Sequence, residues 1–260
     1  NFEPEREKQI LRQFVKDKVD LIFTFPTEVS MFAKAVTQGT DIPVLFAFAN
    51  IEGTGLVESV RKPGGSITGV RYPGPDIAVK RFEIMLELVP EAKRMWIPYQ
   101  RGYPIVASQM AALRPVANSA GITLEEFPAD DAAELQAELE KRAAADDIDM
   151  DAILFVAEPL AVTPAAFAVM GRFAADHQVP IGGALISVGD YGSIFGVNVD
   201  IVNTGRQAAP LADKILQGTP AGSIPVVSAE SFFEINYTVA QEFGLSVPEG
   251  LLSRADKVIR

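Results

Sequence analysis

The chain has 260 residues, 48% of them hydrophobic and 22% charged, which provides material for a sizeable core and excludes the disordered class. A formal net charge of -11 with no basic block excludes nucleic acid as the natural partner. With no cysteine and one histidine, disulfides, thiol catalysis, zinc-thiolate sites and paired-histidine metal sites have nothing to build on. The length is a prior for two domains of ordinary size.

No apolar run approaches the roughly 18 residues needed to span a bilayer. The opening stretch NFEPEREKQILRQFVKDK reads as a helix already under way, with Pro4 early and Ile10, Leu11, Phe14 and Val15 on one face. We therefore expect the sequence to begin inside a fold whose leading elements are missing. VDLIFTFPTEVS follows as an apolar strand broken at Pro26, with Thr27 as a helix N-cap and a helix running to about Thr37, stopped by Gly39. IPVLFAFAN is the next buried strand, completing a βαβ unit. A short helix over Leu56 to Val60, a turn at Pro63-Gly64-Gly65 and a strand from Ile67 to Val70 are predicted after it.

Tyr72-Pro73-Gly74-Pro75 is the linker candidate, and Asp76 is expected to cap a long helix carrying Val79, Phe82, Met85, Leu86 and Val89. The alternation then repeats. KRMWIPYQ is a strand ending near Tyr99 to Tyr103, and a helix from Ile105 to Asn118 stops at Gly121. ITLEEFPA is an edge-like strand, Ala132 to Ala145 a strong helix former, and the acids Asp146 to Asp151 a solvated helix end. MDAILFVAEP repeats the pattern of VDLIFTFPT; a helix from Pro164 to His177 and the strand VPIGGALIS complete a second unit. A strand over Ile194 to Val199, a helix from Asp200 to Gly218, the extended run IPVVSAESFFEIN and two short terminal helices close the chain.

Catalysis has little support: Gly-x-Ser-x-Gly, Gly-x-Gly-x-x-Gly and phosphate-loop motifs are absent, and His177 sits at a helix end beside Asp176. Binding is better supported, because open α/β folds hold ligands beyond the carboxyl ends of their strands. Those ends supply Phe25, Thr27, Glu28, Phe48, Asn50, Tyr99, Arg101, Tyr103, Glu158, Ser187 and Asp190. In this assignment Thr27 and the N-H groups after it hold an anionic group, with Arg101 as another carboxylate partner. Phe48, Tyr99 and Tyr103 sandwich an apolar side chain, and Glu158 or Asp190 receives an ammonium. Each also has a structural reading: Phe25 and Phe48 as core, the tyrosines as surface cover, Glu158 as the cap of the following turn, Arg101 as a solvated charge.

Taken together, KDKVDLIFTFPT, IPVLFAFAN, LVESVRKPGGSITGV, DAILFVAEPL, GRQAAPLADKILQGTPAGSIPV and LSVPEGLLSRADKVI resemble ABC transporter substrate-binding proteins of the tryptophan/tyrosine-binding type. The most specific parts are the turn leading into Ile67 and the closing Pro-x-x-Leu-Leu-x-Arg-Ala-Asp from Pro248 to Asp256. The resemblance implies a type I periplasmic-binding-protein fold. That is two Rossmann-like α/β lobes with parallel sheets flanked by helices, joined by three crossovers and closing over ligand by hinge motion. It further implies a missing leading strand-helix-strand, a first lobe of 1–73 plus 200–222, a second lobe of 74–199 plus 223–240, and terminal helices in 241–260 near the hinge.

For function, the resemblance implies a non-enzymatic, monomeric, periplasmic or otherwise extracytoplasmic solute-binding protein, with lipid anchoring as one option. Such a protein needs no cofactor or metal. It passes an amino-acid-like ligand, aromatic or branched, to an ABC permease. The alternative is a ligand-sensing domain of a signalling receptor. The sequence departs from the family where Thr-Asp-Pro is common and Asn50-Ile51-Glu52 stands, and where Thr-Asp is common and Ala157-Glu158-Pro159 stands, so ligand identity does not transfer automatically.

Overall fold

The computed structural model describes residues 3–260. In chain order the elements begin with α1 (Pro4–Asp17), β1 (Ile22–Thr24), α2 (Thr27–Val36), β2 (Val44–Ala49) and β3 (Ile67–Arg71). They continue with α3 (Gly74–Leu88), β4 (Arg94–Gln100), α4 (Val106–Ser119), β5 (Thr123–Ala129), α5 (Ala132–Ala143), β6 (Ala152–Leu154), α6 (Pro164–His177) and β7 (Ile181–Gly183). The remainder is β8 (Ser187–Val188), β9 (Tyr191–Gly192), β10 (Phe195–Val199), α7 (Ile201–Leu216), β11 (Val227–Ser228), β12 (Ser231–Asn236), α8 (Tyr237–Glu242), α9 (Glu249–Arg254) and β13 (Lys257–Ile259).

The chain divides into two compact units, one ending at Pro73 and resuming over Val199–Glu230, the other comprising Gly74–Asn198 and Ser231–Arg260. It therefore passes from unit to unit three times. In the first unit the strand order is β1-β2-β3-β11, every pairing parallel. Its core gathers Leu11 from α1, Ile22, Val44 and Phe46 from the sheet, and Leu56 and Val226 from the loops. The second unit has the order β13-β12-β10-β7-β6-β4-β5, with a separate antiparallel hairpin of β8 and β9. Its core centres on Trp96, Phe155, Phe167 and Met170. A parallel pair needs a crossover, and α2, α4, α5 and α6 supply crossovers of the helical kind.

Several boundaries differ from expectation for identifiable reasons. Pro26, not Thr27, occupies the α2 cap position and Thr27 opens the helix, because the Thr27 hydroxyl is drawn instead to the backbone of Asn50. Leu56 to Val60 forms bent, irregular backbone rather than a helix, tied to the Pro63 turn through Glu58 N-H to Pro63 O and Ser59 N-H to Lys62 O. Residues 223–230 belong to the first unit, because Val227 and Ser228 pair in parallel with Val70 and Arg71 and only then does the chain cross. The terminal segment is not helix alone, since β13 pairs with β12 within the second unit.

The two family-like motifs have local explanations. Gly64 and Gly65 both take positive φ, +77° and +55°, which only glycine adopts freely. The Gly64 N-H donates to Gly222 O at 3.1 Å, clamping the turn before β3 to the segment before β11. In the closing motif the Asp256 carboxylate accepts the Phe233 N-H at 2.7 Å and the Asp256 N-H donates to Phe233 O at 2.8 Å. Leu251 is fully buried and Arg254 bonds Glu87, so the motif pins the last strand in place.

Candidate functional site

Because β1, β2, β3 and β11 run parallel, the segments after Thr24, Ala49, Arg71 and Ser228 emerge along one edge of the first sheet. The first of these is tightly braced. Thr24 Oγ1 lies 3.0 Å from Ser30 Oγ, which donates to Pro26 O at 2.7 Å. The Thr27 hydroxyl accepts the Asn50 N-H at 2.9 Å, fastening the start of α2 to the end of β2.

Phe48 takes φ of +55° where the β2/β3 register slips between Ala47 and Ala49. A bulge of this kind re-aims a side chain, and here it carries the Phe48 ring to 5.2 Å from Phe25 and 5.0 Å from Tyr72. Phe25 is 44% exposed, so the three rings form an apolar ledge with one open side. Beside it Arg71 donates through Nε to Ser228 Oγ at 2.7 Å and pairs with Glu52. Tyr72, Arg71, Glu52 and Ser228 were not singled out as site residues from sequence. Arg71, Tyr72 and Ser228 end or immediately follow a strand, and Glu52 lies beyond β2 in the Asn50-Ile51-Glu52 segment that departs from the family pattern.

In the second unit Glu158 is 8% exposed and fully engaged. One carboxylate oxygen accepts N-H groups from Gln100 at 2.9 Å and Leu160 at 2.7 Å, the other accepts Ala161 N-H at 2.6 Å. Burial raises its pKa against the opposing pull of those three backbone bonds. Gln109, fully buried on α4, holds the preceding Ala157 on both sides, donating to its carbonyl and accepting its N-H, each at 2.8 Å. Sequence reasoning missed Gln109 because nothing in a helical glutamine foretells a partner 48 residues away.

Arg101 donates to Asp130 at 3.1 Å and Glu134 at 3.0 Å, a surface network that occupies its guanidinium. Tyr99 donates to Glu126 at 3.2 Å, and Arg114 grips the same carboxylate at 2.7 and 2.9 Å, holding the Glu126 pKa below its ordinary value. Tyr103 sits in the turn after β4. Ser187 lies on β8 and Asp190 in its hairpin turn, both exposed. Glu28 is in the first turn of α2, where backbone N-H groups lack intrahelical partners and favour negative charge. Thus Phe25, Thr27, Glu28, Phe48 and Asn50 gather on one edge of the first unit, while in the second Tyr99 lies near the end of β4, Arg101 and Tyr103 follow it, and Glu158 follows β6.

Among the described residues no cluster of three or more His, Asp or Glu side chains is arranged to hold a metal ion. Among the described residues no helix is long and apolar enough to cross a membrane. The arrangement suits non-covalent capture of a small amphipathic molecule.

Comparison with known proteins agrees with that chemistry. The family model described as ABC transporter substrate binding protein matches residues 2–259. A tyrosine-binding protein of Clostridioides difficile is 25% identical over 225 residues, covering 86% of this chain and 62% of the relative, so the chain spans under two thirds of that protein's length. An ABC domain from Streptococcus pneumonia, solved in complex with L-Trp, superposes with a TM-score of 0.80 at 24% identity, covering 99% of this chain and 86% of the other. A conserved domain protein from Vibrio cholerae gives the same TM-score at 28% identity, covering 98% and 84%.

Proposed function

This chain belongs to the ABC transporter substrate-binding protein family, and from that premise we propose that it captures an amino acid with an aromatic or branched side chain outside the cytoplasm and delivers it to an ABC permease. The observation that carries the reading is the ledge of Phe25, Phe48 and Tyr72, set beside the N-terminus of α2 at the carboxyl edge of a parallel sheet. Aromatic rings give an apolar side chain a large contact area, and a helix N-terminus suits a carboxylate. The tyrosine-binding relative and the L-Trp complex support the choice of ligand class.

In this assignment the α2 N-H groups around Glu28 receive the ligand carboxylate, and Thr27 acts by holding Asn50 in place. Arg101 and Glu158 are spent on internal partners and act as braces for their loops. Within the second unit Tyr99 is held by Glu126. The protein is a binder and not a catalyst, and works as a monomer. Titration calorimetry against the twenty amino acids tests the proposal: saturable binding of an aromatic or branched member supports it, and heats indistinguishable from dilution across the panel sink it.

A further inference from the structure

We propose that the Asn50-Ile51-Glu52 loop is the ammonium receptor of the site, with Glu52 as its charged member. This rests on the reading of the chain as an amino-acid binder. Asn50 is 1% exposed, and its Nδ2 donates to the backbone carbonyl of Glu52 at 3.1 Å. That bond fixes the amide: turned over, two oxygens would face each other. Oδ1 is therefore the remaining atom, buried and without a donor among the described residues. The Glu52 carboxylate is likewise half used. Oε1 pairs with Arg71, while Oε2 is buried and receives no donor among the described residues.

Two buried acceptors from one three-residue loop, both lacking donors, ask for a group that brings N-H bonds and positive charge. A carboxylate or phosphate would add a third acceptor and be repelled. A primary ammonium supplies three donors and a positive charge, which matches these acceptors. The ligand's other charged group then falls to the α2 N-terminus, which Thr27 ties to this same loop. Ammonium recognition accordingly lies in the first unit, whereas of the two acids suggested by sequence, Glu158 and Asp190, Glu158 already accepts three backbone N-H groups. Arg71 is the cation that competes for Glu52, and it engages the opposite oxygen and Ser228.

The test measures binding of L-tryptophan and of indole-3-propionate, which is the same molecule without its ammonium group, to the wild-type chain, E52Q and R71Q. The wild type is expected to prefer L-tryptophan. E52Q is expected to shrink that preference roughly 10- to 100-fold, the range for a hydrogen bond to a charged group, while leaving indole-3-propionate affinity nearly unchanged. R71Q keeps the Glu52 carboxylate and is expected to retain the preference. Because the readout is a ratio on folded protein, a loss of stability in either variant does not obscure it. Equal wild-type affinity for the two compounds, or an E52Q effect identical on both, overturns the ammonium assignment and leaves the functional reading intact. Failure of the wild type to bind either compound or any amino acid removes the functional reading and this inference with it.

Discussion

Glu158 illustrates how a side chain suited to ligand binding is consumed by its own fold. Its carboxylate gathers N-H groups from the end of β4 and from the loop after β6, so removing it strands three donors at once. Glu158→Ala is expected to lower the unfolding free energy by about 3 kcal/mol, the sum of modest penalties for orphaned buried donors, as read by urea denaturation. Its raised pKa has a definite sign. The folded state holds the proton more tightly, so the stability contributed by protonating Glu158 is fully present below its ordinary value of 4.5 and is lost as pH rises through the folded value. The stability difference between wild type and E158Q is therefore expected to shift in favour of the wild type on going from pH 7 down to pH 4. A difference flat across that window would contradict the raised pKa.

At the scale of elements, glycines report which contacts are close. A Cβ at Gly222 would overlap the Gly65 carbonyl oxygen across the clamp that joins the turn before β3 to the segment before β11. Neither backbone can yield without breaking that clamp, and Gly222→Ala is expected to cost about 2 to 3 kcal/mol. Gly205, in the interior of α7, has open space where its Cβ would be. There the helix gains from a residue with less freedom in the unfolded state, and Gly205→Ala is expected to stabilise by about 0.5 to 1 kcal/mol. Equilibrium unfolding of the two variants checks both signs. The bulge at Phe48 belongs to the same scale: a local slip in strand pairing builds the aromatic ledge, and no periodicity in IPVLFAFAN announces it.

At the scale of the whole molecule, the acidic balance of the chain fits a small-molecule binder with no polyanionic partner. A ligand that binds only the folded state adds about 2.7 kcal/mol at a hundred times its dissociation constant. Scanning calorimetry in a saturating aromatic amino acid is thus expected to raise the melting temperature by several degrees, given the roughly 2 to 4 °C per kcal/mol typical of domains near this size. An unmoved transition in every amino acid tested would oppose amino-acid capture. Because the chain has two compact units, the transition with the larger shift will show which of them the ligand stabilises more.

What the sequence by itself determined was set by short-range physics. Buried apolar strands alternating with capped helices dictate an α/β chain with parallel sheets, the Pro-Gly breaks mark its first crossing near Pro73, and the paired strand-helix-strand pattern anticipates two units. Composition alone disposed of cysteine chemistry. What only the tertiary structure decided was which polar groups are already spent. Arg101 meets its acids 29 and 33 residues away, Gln100 reaches Glu158 across 58, and Glu52 finds Arg71 across 19. Val227 and Ser228 join the first unit through a pairing with β3 that spans more than half the chain. Secondary structure follows from neighbours three or four residues apart, but a hydrogen-bond partner is chosen by where the backbone ends up. The strand-end loops were therefore legible as a candidate site, while the division of labour among their carboxylates was not.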